Sequence, residues 1–233
     1  MSARAAIVLL AAGSGRRVGA RRNKVLLPLD GVAVLAHGVR TALAVDSAVR
    51  VVVVVRPEDH ADVAAALRPV IGNHDVWVVE GGAERHDSEA RALDALRADI
   101  GAGEIDVVAI HDGARPLASE GLFAAVIATA AAHGAAVPAV PAPGLAHLDG
   151  SRAPLGLVAV QTPQAFAARA LLEAYDAAAA EGFTGTDTAA CLERYSEVRV
   201  HAVDGEAGNL KVTFAEDLAL AEELIVAGRP ASG

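Results

Sequence analysis

Aromatic residues are scarce in this chain of 233: one Trp, two Tyr and four Phe, 3% in all. A core must therefore be built from Ala, Val and Leu. Hydrophobic residues still reach 53%, which excludes intrinsic disorder. A compact chain of this length buries roughly 70–75% of its unfolded surface, so it needs no disulfide or metal to hold a core. Cysteine occurs once, as Cys191, which excludes an internal disulfide and any cysteine-based zinc site and fits a reducing compartment. No apolar run reaches the roughly 18 residues of a membrane span. Arg4 and the apolar run 5–12 superficially resemble a secretory signal. The run ends in Gly13-Ser14-Gly15 and Arg16-Arg17 rather than a small-residue cleavage site, so it reads as a buried strand and its loop. The expected location is cytoplasmic, with no membrane partner. A net charge of −9 argues against nucleic-acid binding, since a phosphate backbone would be repelled.

Short apolar runs alternate with helical patterns. Residues 5–10, 50–55, 75–80, 107–111, 135–140 and 157–161 read as strands. The five consecutive valines at 51–55 suit a strand buried on both faces of a parallel sheet. Residues 34–44, 58–67, 87–98 and 120–133 carry apolar residues three and four apart and read as helices, with Ser119 as the N-cap of the fourth. A last helix is expected behind a capping box of Thr213 and Glu216, ending at Gly228. This alternation implies a single α/β domain over residues 1–233, Rossmann-like and three-layered, with a mostly parallel sheet. Residues 141–156 are dense in Pro and Gly and lack either periodicity. They read as an arm leaving the sheet.

Ligands of open α/β sheets bind beyond the carboxyl ends of the strands. There, after the first strand, stand Ala11, Ala12, Gly13, Ser14 and Gly15. Five cations then fall within nine residues: Arg16, Arg17, Arg21, Arg22 and Lys24. Glycines let backbone N–H groups approach an anion, and cations at the same mouth suit a polyphosphate. The spacing GxGxxxG, with the next helix starting near Val34, excludes a dinucleotide fingerprint, and no Walker loop is present. Lysine is nearly absent: Lys24 and Lys211 are the only two among 20 basic residues. An ammonium is a compact point charge on a flexible stem, unlike a guanidinium.

Two further segments occupy the same edge. His111-Asp112-Gly113-Ala114-Arg115-Pro116 ends one strand. Asp112 is suited to a magnesium ion or a ribose hydroxyl, or to capping a turn. His111 reads as structural. Gly81-Gly82-Ala83-Glu84-Arg85-His86-Asp87-Ser88 follows another strand. Its glycines would allow a flat base to approach, and Asp87 or Ser88 could equally cap the next helix.

Taken together, LAAGSGRRVG with Lys24, GGAERHDS, HDGARP, the TPQ of residues 162–164 and the NLKVT stretch from Asn209 resemble the polyol-phosphate cytidylyltransferase family. The similarity runs in order over about residues 5–226, and the 2-C-methyl-D-erythritol 4-phosphate cytidylyltransferases match best. The resemblance implies an enzyme that joins CTP to a sugar-alcohol phosphate and releases pyrophosphate, with magnesium, as a homodimer formed through the arm. It implies that residues 11–15 cradle the triphosphate and that Arg17, Lys24 and Lys211 stabilise charge. Gly82, Arg85 and Ser88 would border the cytosine, and Asp112 would serve the metal or ribose. Arg115 and Thr162 would meet the acceptor phosphate. The reaction needs no general base, because its nucleophile is a phosphate oxygen already ionised near pH 7. Fixed cations suffice to stabilise the spreading negative charge.

The acceptor half departs from the family pattern. Pro141-Ala142-Pro143-Gly144-Leu145 stands where an Asp-Thr-x-Lys stretch is usual. The arginine usual eight residues before the TPQ threonine is Pro154, with Arg152 nearby as the substitute, and Gly208 replaces a common acidic residue. A ribitol-5-phosphate-like cytidylyltransferase, or a diverged CTP-binding relative with little catalysis, are the alternatives this leaves open.

Overall fold

The computed structural model describes residues 3–13, 23–142, 154, 156–185 and 187–228. Its elements, in chain order, begin with β1 (Ala5–Leu10), a minimal pair of two-residue strands β2 (Pro28–Leu29) and β3 (Val32–Ala33), α1 (Val34–Ala44) and β4 (Ala48–Val55). Then come α2 (His60–Ile71), β5 (Val76–Glu80), α3 (Arg85–Gly101), β6 (Val107–Asp112), α4 (Glu120–His133) and β7 (Ala135–Pro141). The chain closes with β8 (Val158–Val160), β9 (Gln164–Ala167), α5 (Ala168–Glu181), α6 (Thr188–Tyr195), β10 (His201–Asp204) and α7 (Ala215–Ala227).

Among the described residues eight strands form one sheet in the order β10-β7-β9-β6-β1-β4-β5, with β8 beside β7. Pairing is parallel across β6-β1-β4-β5 and between β10 and β7. β9 runs antiparallel to both of its neighbours. The α/β expectation therefore holds, with one antiparallel strand inside the parallel frame.

The valine run shows why the sheet is covered on both faces. Val51, Val53 and Val55 of β4 pack with Ile7 and Leu9 under α1, α2 and α4. Val52 and Val54 point the other way, with Ala6, Val8 and Ile110, against Leu93 and Leu96 of α3 and Leu171 of α5. Successive strand residues alternate sides, so a strand with no polar alternation needs a helical layer on each face.

Several expected boundaries shift. The second helix begins after a 3-10 turn at Pro57–Asp59 and runs on to Ile71. The third starts at Arg85, because Asp87 caps it by accepting from the Glu84 N–H at 3.1 Å. Ser119 caps α4 as expected, accepting from the Leu122 N–H. The capping box assigned to Thr213 and Glu216 is not what forms. Asp217 accepts from the N–H groups of Thr213 at 2.7 Å and Phe214 at 2.8 Å, so the cap lies one residue further on. Residues 157–161 are not a further parallel strand: β8 folds back antiparallel on β7, pairing Val158 with Pro141 and Val160 with Ala139. This hairpin ladder closes the base of the arm. The arm itself, apart from its two ends and Pro154, lies outside the described residues.

Candidate active site

Sheet register brings the sequence motifs together. Leu10 pairs with Val54 on one side and Asp112 on the other, and Val55 pairs with Glu80. Four parallel strands thus end on one edge, and the loops after β1, β4, β5 and β6 converge there. They surround a cleft of about 780 Å³. Its walls include Ala12, Gly13 and Lys24 from the first loop, Arg56 after β4, Gly82, Arg85 and Ser88 after β5, Asp112, and Lys211 with Thr213.

Asp112 is the electrostatic centre of this cleft. Arg85 Nη1 donates to its Oδ1 at 2.5 Å, Lys211 Nζ donates to its Oδ2 at 2.7 Å, and Arg115 Nε stands 3.9 Å from Oδ2. Burial acts to raise the Asp112 pKa, but the charges of Arg85 and Lys211 outweigh it and hold the carboxyl well below the usual carboxylate range. The carboxylate is therefore ionised at any working pH. It orients two cations whose side chains are still 30% and 40% exposed at the cleft.

Behind Asp112 lies a buried polar strap. The Asp112 N–H donates to Thr162 Oγ1 at 3.0 Å, and that hydroxyl contacts His111 Nδ1 at 3.1 Å. Asn209 Nδ2 donates to the Thr162 carbonyl at 2.8 Å, and Arg115 Nη1 donates to the Asn209 carbonyl at 2.6 Å. Gln161 Nε2 donates to the Glu206 carbonyl at 2.8 Å. The TPQ and NLK segments thus hold the turn after β6 and carry Lys211 to the cleft. His111 is fully buried, packed on Phe123 and bonded to the Arg115 carbonyl, as a structural residue should be.

Burial lowers the His111 pKa to about 4. In the unfolded chain it takes up a proton near pH 6.5. Between those values the unfolded state binds more protons than the folded state, so stability must fall as pH falls. The expected loss between pH 7 and pH 5 is about 2 kcal/mol from this residue. Urea unfolding at both pH values checks it: the pH-dependent loss should shrink by that amount in His111→Asn, whatever the variant's absolute stability.

The glycine pair after β5 has a packing role that the sequence did not show. A Cβ on Gly81 would lie 2.5 Å from the Ala12 Cβ, and one on Gly82 would lie 2.2 Å from the Asp87 Cβ. The space is filled by protein, so these glycines permit close packing of the loop on the first loop and on α3. The Gly82 N–H donates to Ser88 Oγ, that hydroxyl donates to the Glu84 carbonyl, and Arg91 Nη1 donates to the Gly81 carbonyl. The loop is a fixed wall of the cleft.

A family model described as 2-C-methyl-D-erythritol 4-phosphate cytidylyltransferase matches residues 5–227. The chain belongs to that family. A relative of that name from Bacillus cytotoxicus is 33% identical over 225 residues, spanning 94% of this chain and 96% of the relative. One from Cereibacter sphaeroides is 38% identical over 226 residues, with the same coverage of 94% and 96%. Among solved structures, the 4-diphosphocytidyl-2C-methyl-D-erythritol synthase of Anaerococcus prevotii superimposes with a TM-score of 0.81 at 25% identity, covering 97% of both chains. The 2-C-methyl-D-erythritol 4-phosphate cytidylyltransferase of Thermus thermophilus gives a TM-score of 0.71 at 30% identity, covering 94% of this chain and 98% of that one.

Against the family motifs, the structure gathers Ala12, Gly13, Lys24, Gly82, Arg85, Ser88, Asp112 and Lys211 around one cleft. Ala11 is buried at the root of the first loop, its carbonyl accepting from Asn23 Nδ2. Arg115 and Thr162 stand behind Asp112, engaged in the strap rather than lining the cleft. Ser14, Gly15, Arg17 and Arg152 lie outside the described residues. Sequence reasoning passed over Arg56, which lines the cleft and pairs with Asp59 at 2.7 Å. Its position directly after the valine strand, on the ligand edge, was the available signal. Asn23 ties this corner together, donating to the carboxylate of Asp59 at 2.7 Å and accepting from the Val25 N–H beside Lys24.

Proposed function

We propose that this chain joins CTP to 2-C-methyl-D-erythritol 4-phosphate, releasing pyrophosphate, in isoprenoid precursor synthesis. The observation that carries the reading is the cleft where Lys24, Arg85, Lys211 and the first loop meet on one strand edge, in a member of this family. An acceptor phosphate oxygen attacks the α-phosphorus of CTP. One P–O bond forms, the α–β bridging P–O bond breaks, and pyrophosphate leaves with the bonding pair. The residues supply charge and alignment. Lys24 and the loop of residues 11–15 hold the triphosphate, with Arg17 assisting. Lys211, held by Asp112, faces the charge that grows at the α-phosphoryl group, and a pre-set cation needs no reorganisation as it grows. Arg85, also held by Asp112, borders the nucleotide from the loop after β5.

The donor set fits magnesium brought in by the nucleotide. Among the described residues no three His, Cys, Asp or Glu side chains gather as a metal cage. Magnesium on nucleotides uses one or two carboxylates and mostly phosphate oxygens and water. Asp112 would give the protein oxygen, since each carboxylate oxygen can accept more than one partner. The ion would neutralise charge on the phosphates. A homodimer through the arm and a cytoplasmic location complete the reading. Among the described residues no helix is long and apolar enough to cross a membrane.

The Gly81–Ser88 wall is the base-selective element, with Ser88 and the loop backbone meeting the pyrimidine edge. A rigid edge built for one hydrogen-bond pattern rejects ligands that leave its groups unpaired. Calorimetry should give clearly tighter binding for CTP than for ATP, and equal affinities would remove the loop from base selection.

Arg115 and Thr162 border the acceptor side through the strap, and Arg152 brings a cation from the arm to the acceptor phosphate. A charge-assisted contact of this kind contributes roughly 1.5–3 kcal/mol. Arg152→Ala should therefore raise the acceptor KM by roughly tenfold or more while leaving the CTP KM nearly unchanged. Steady-state kinetics with each substrate varied in turn would show it. An unchanged acceptor KM would mean the acceptor is met by other residues.

The test of the whole reading is product formation from CTP across a panel of polyol phosphates. If the methylerythritol phosphate is inert and ribitol 5-phosphate reacts, the activity is right in class and wrong in acceptor.

A further inference from the structure

Glu89 lies on α3, one turn after Arg85, and only 1% of it is exposed. An exposed carboxylate at that spacing would be an ordinary surface partner with little effect. Here it is sealed beneath α5 and α6 and accepts three hydrogen bonds. Arg85 Nε donates to Oε1 at 2.8 Å, Thr188 Oγ1 donates to the same oxygen at 2.8 Å, and the Tyr175 hydroxyl donates to Oε2. Tyr175 is itself held by stacking on His86, with ring centroids 4.6 Å apart. Burial and the Glu89 charge push the Tyr175 phenol far above its usual range, so it remains a donor.

Two hydroxyls do not require a charged acceptor; a neutral amide or carbonyl would serve at lower desolvation cost. The charge matches the third partner. Arg85 is held at two of its three nitrogens, with Nε on Glu89 and Nη1 on Asp112. Its guanidinium plane is thereby fixed by two carboxylates on different elements, α3 and β6. The remaining nitrogen, Nη2, makes no hydrogen bond among the described residues, on a side chain that lines the cleft.

We infer that Glu89 is a positioning residue for the transfer reaction: it sets the Arg85 guanidinium so that Arg85 both anchors Asp112 and presents Nη2 to the bound nucleotide. Tyr175 and Thr188 hold Glu89 in turn, so a buried chain of contacts runs from the α5–α6 layer to the cleft. The inference rests on the cytidylyltransferase reading, and its test keeps the two separable.

The variant is Glu89→Gln. Glutamine keeps the contacts to Arg85 and Thr188 through its carbonyl and removes the charge that holds Arg85, while its amide reverses the Tyr175 contact and leaves the phenol proton without this acceptor. That second loss is the same with and without Arg85, so the comparison of backgrounds cancels it. Glu89→Gln should lower kcat/KM for CTP by about tenfold, the change falling mainly in kcat if Arg85 acts in the transition state. In an Arg85→Ala background the same substitution should have almost no further effect. A merely structural Glu89 would lower the melting temperature in both backgrounds and leave the kinetics of the folded fraction alone. Full activity in Glu89→Gln, or an equal loss with and without Arg85, would overturn the inference. If the glutamine variant does not fold, Glu89→Asp carries the same comparison, since it keeps the charge and withdraws it by one carbon. If the wild-type protein proves not to turn CTP over, the functional reading fails on its own. The same four proteins, read by CTP affinity, then still decide whether Glu89 acts through Arg85.

Discussion

Lys211→Ala is expected to lower kcat by a hundredfold or more while the protein stays folded, and Lys24→Ala is expected to do the same. That range is what removal of one pre-set charge-stabilising group produces in other enzymes. The two lysines come from opposite ends of the chain, and both line the cleft. Lys211 reaches it because Asn209, fully buried, pins its segment to Thr162. Its ammonium then sits 2.7 Å from the Asp112 carboxylate. An ammonium held there can turn toward a phosphoryl oxygen without being immobilised afresh. With its side chain 40% exposed, Lys211 buries little itself, so circular dichroism should keep its folded signature, with a modest drop in melting temperature because the buried Asp112 carboxylate loses one of its two closest cations. Lys211→Arg should restore only part of the rate, because a planar guanidinium directs its charge differently. Wild-type turnover in either alanine variant would take that lysine out of the mechanism.

Asp112→Ala should have a double effect. It removes the one carboxylate that Arg85 and Lys211 share, so Lys211 loses its anchor, Arg85 keeps only its Glu89 contact, and the two cations repel each other. Breaking a buried ion pair from one side commonly costs 3–5 kcal/mol. Arg85 and Lys211 can partly relax toward solvent, so a loss of about 3 kcal/mol of unfolding free energy is expected, near the lower bound. Turnover should fall at least as far as in Lys211→Ala, because two cations are disturbed at once. Urea denaturation and steady-state kinetics on the same preparation separate the two effects. Asp112→Asn should retain more stability than Asp112→Ala, since an amide still offers one acceptor. An Asp112→Ala enzyme with near wild-type kcat would show that the cluster is structural only.

The parts of the fold legible in the sequence were those whose environment is uniform along the chain. The valines of β4 are buried on both faces, α1 falls where its apolar spacing places it, and α4 falls where its spacing and the Ser119 cap place it. The edge of the sheet was legible too, since Gly13 and Gly82 closely follow hydrophobic strands and Asp112 ends one. β9 was not, because four residues inserted antiparallel between β6 and β7 leave no periodic signature. Its place is decided by pairing with strands more than 20 residues away in sequence, such as Val107 with Ala167. The same holds for the site. Arg85 and Lys211 carry their charge in the sequence, but their meeting on Asp112 depends on segments from three parts of the chain. Glu89 looks like an ordinary helix-surface acid until α5 and α6 cover it. The packing role of Gly81 and Gly82 was hidden for a related reason: which neighbour occupies the missing Cβ is a tertiary fact, and here it is Ala12 and Asp87.

The central claim is that this cleft transfers a cytidylyl group to a polyol phosphate. The most direct measurement is pyrophosphate release from CTP and magnesium with 2-C-methyl-D-erythritol 4-phosphate, with the nucleotide product identified by mass. The account predicts acceptor-dependent pyrophosphate release, with one 4-diphosphocytidyl-2-C-methyl-D-erythritol formed per pyrophosphate. Tight CTP binding without pyrophosphate release on any polyol phosphate would contradict it.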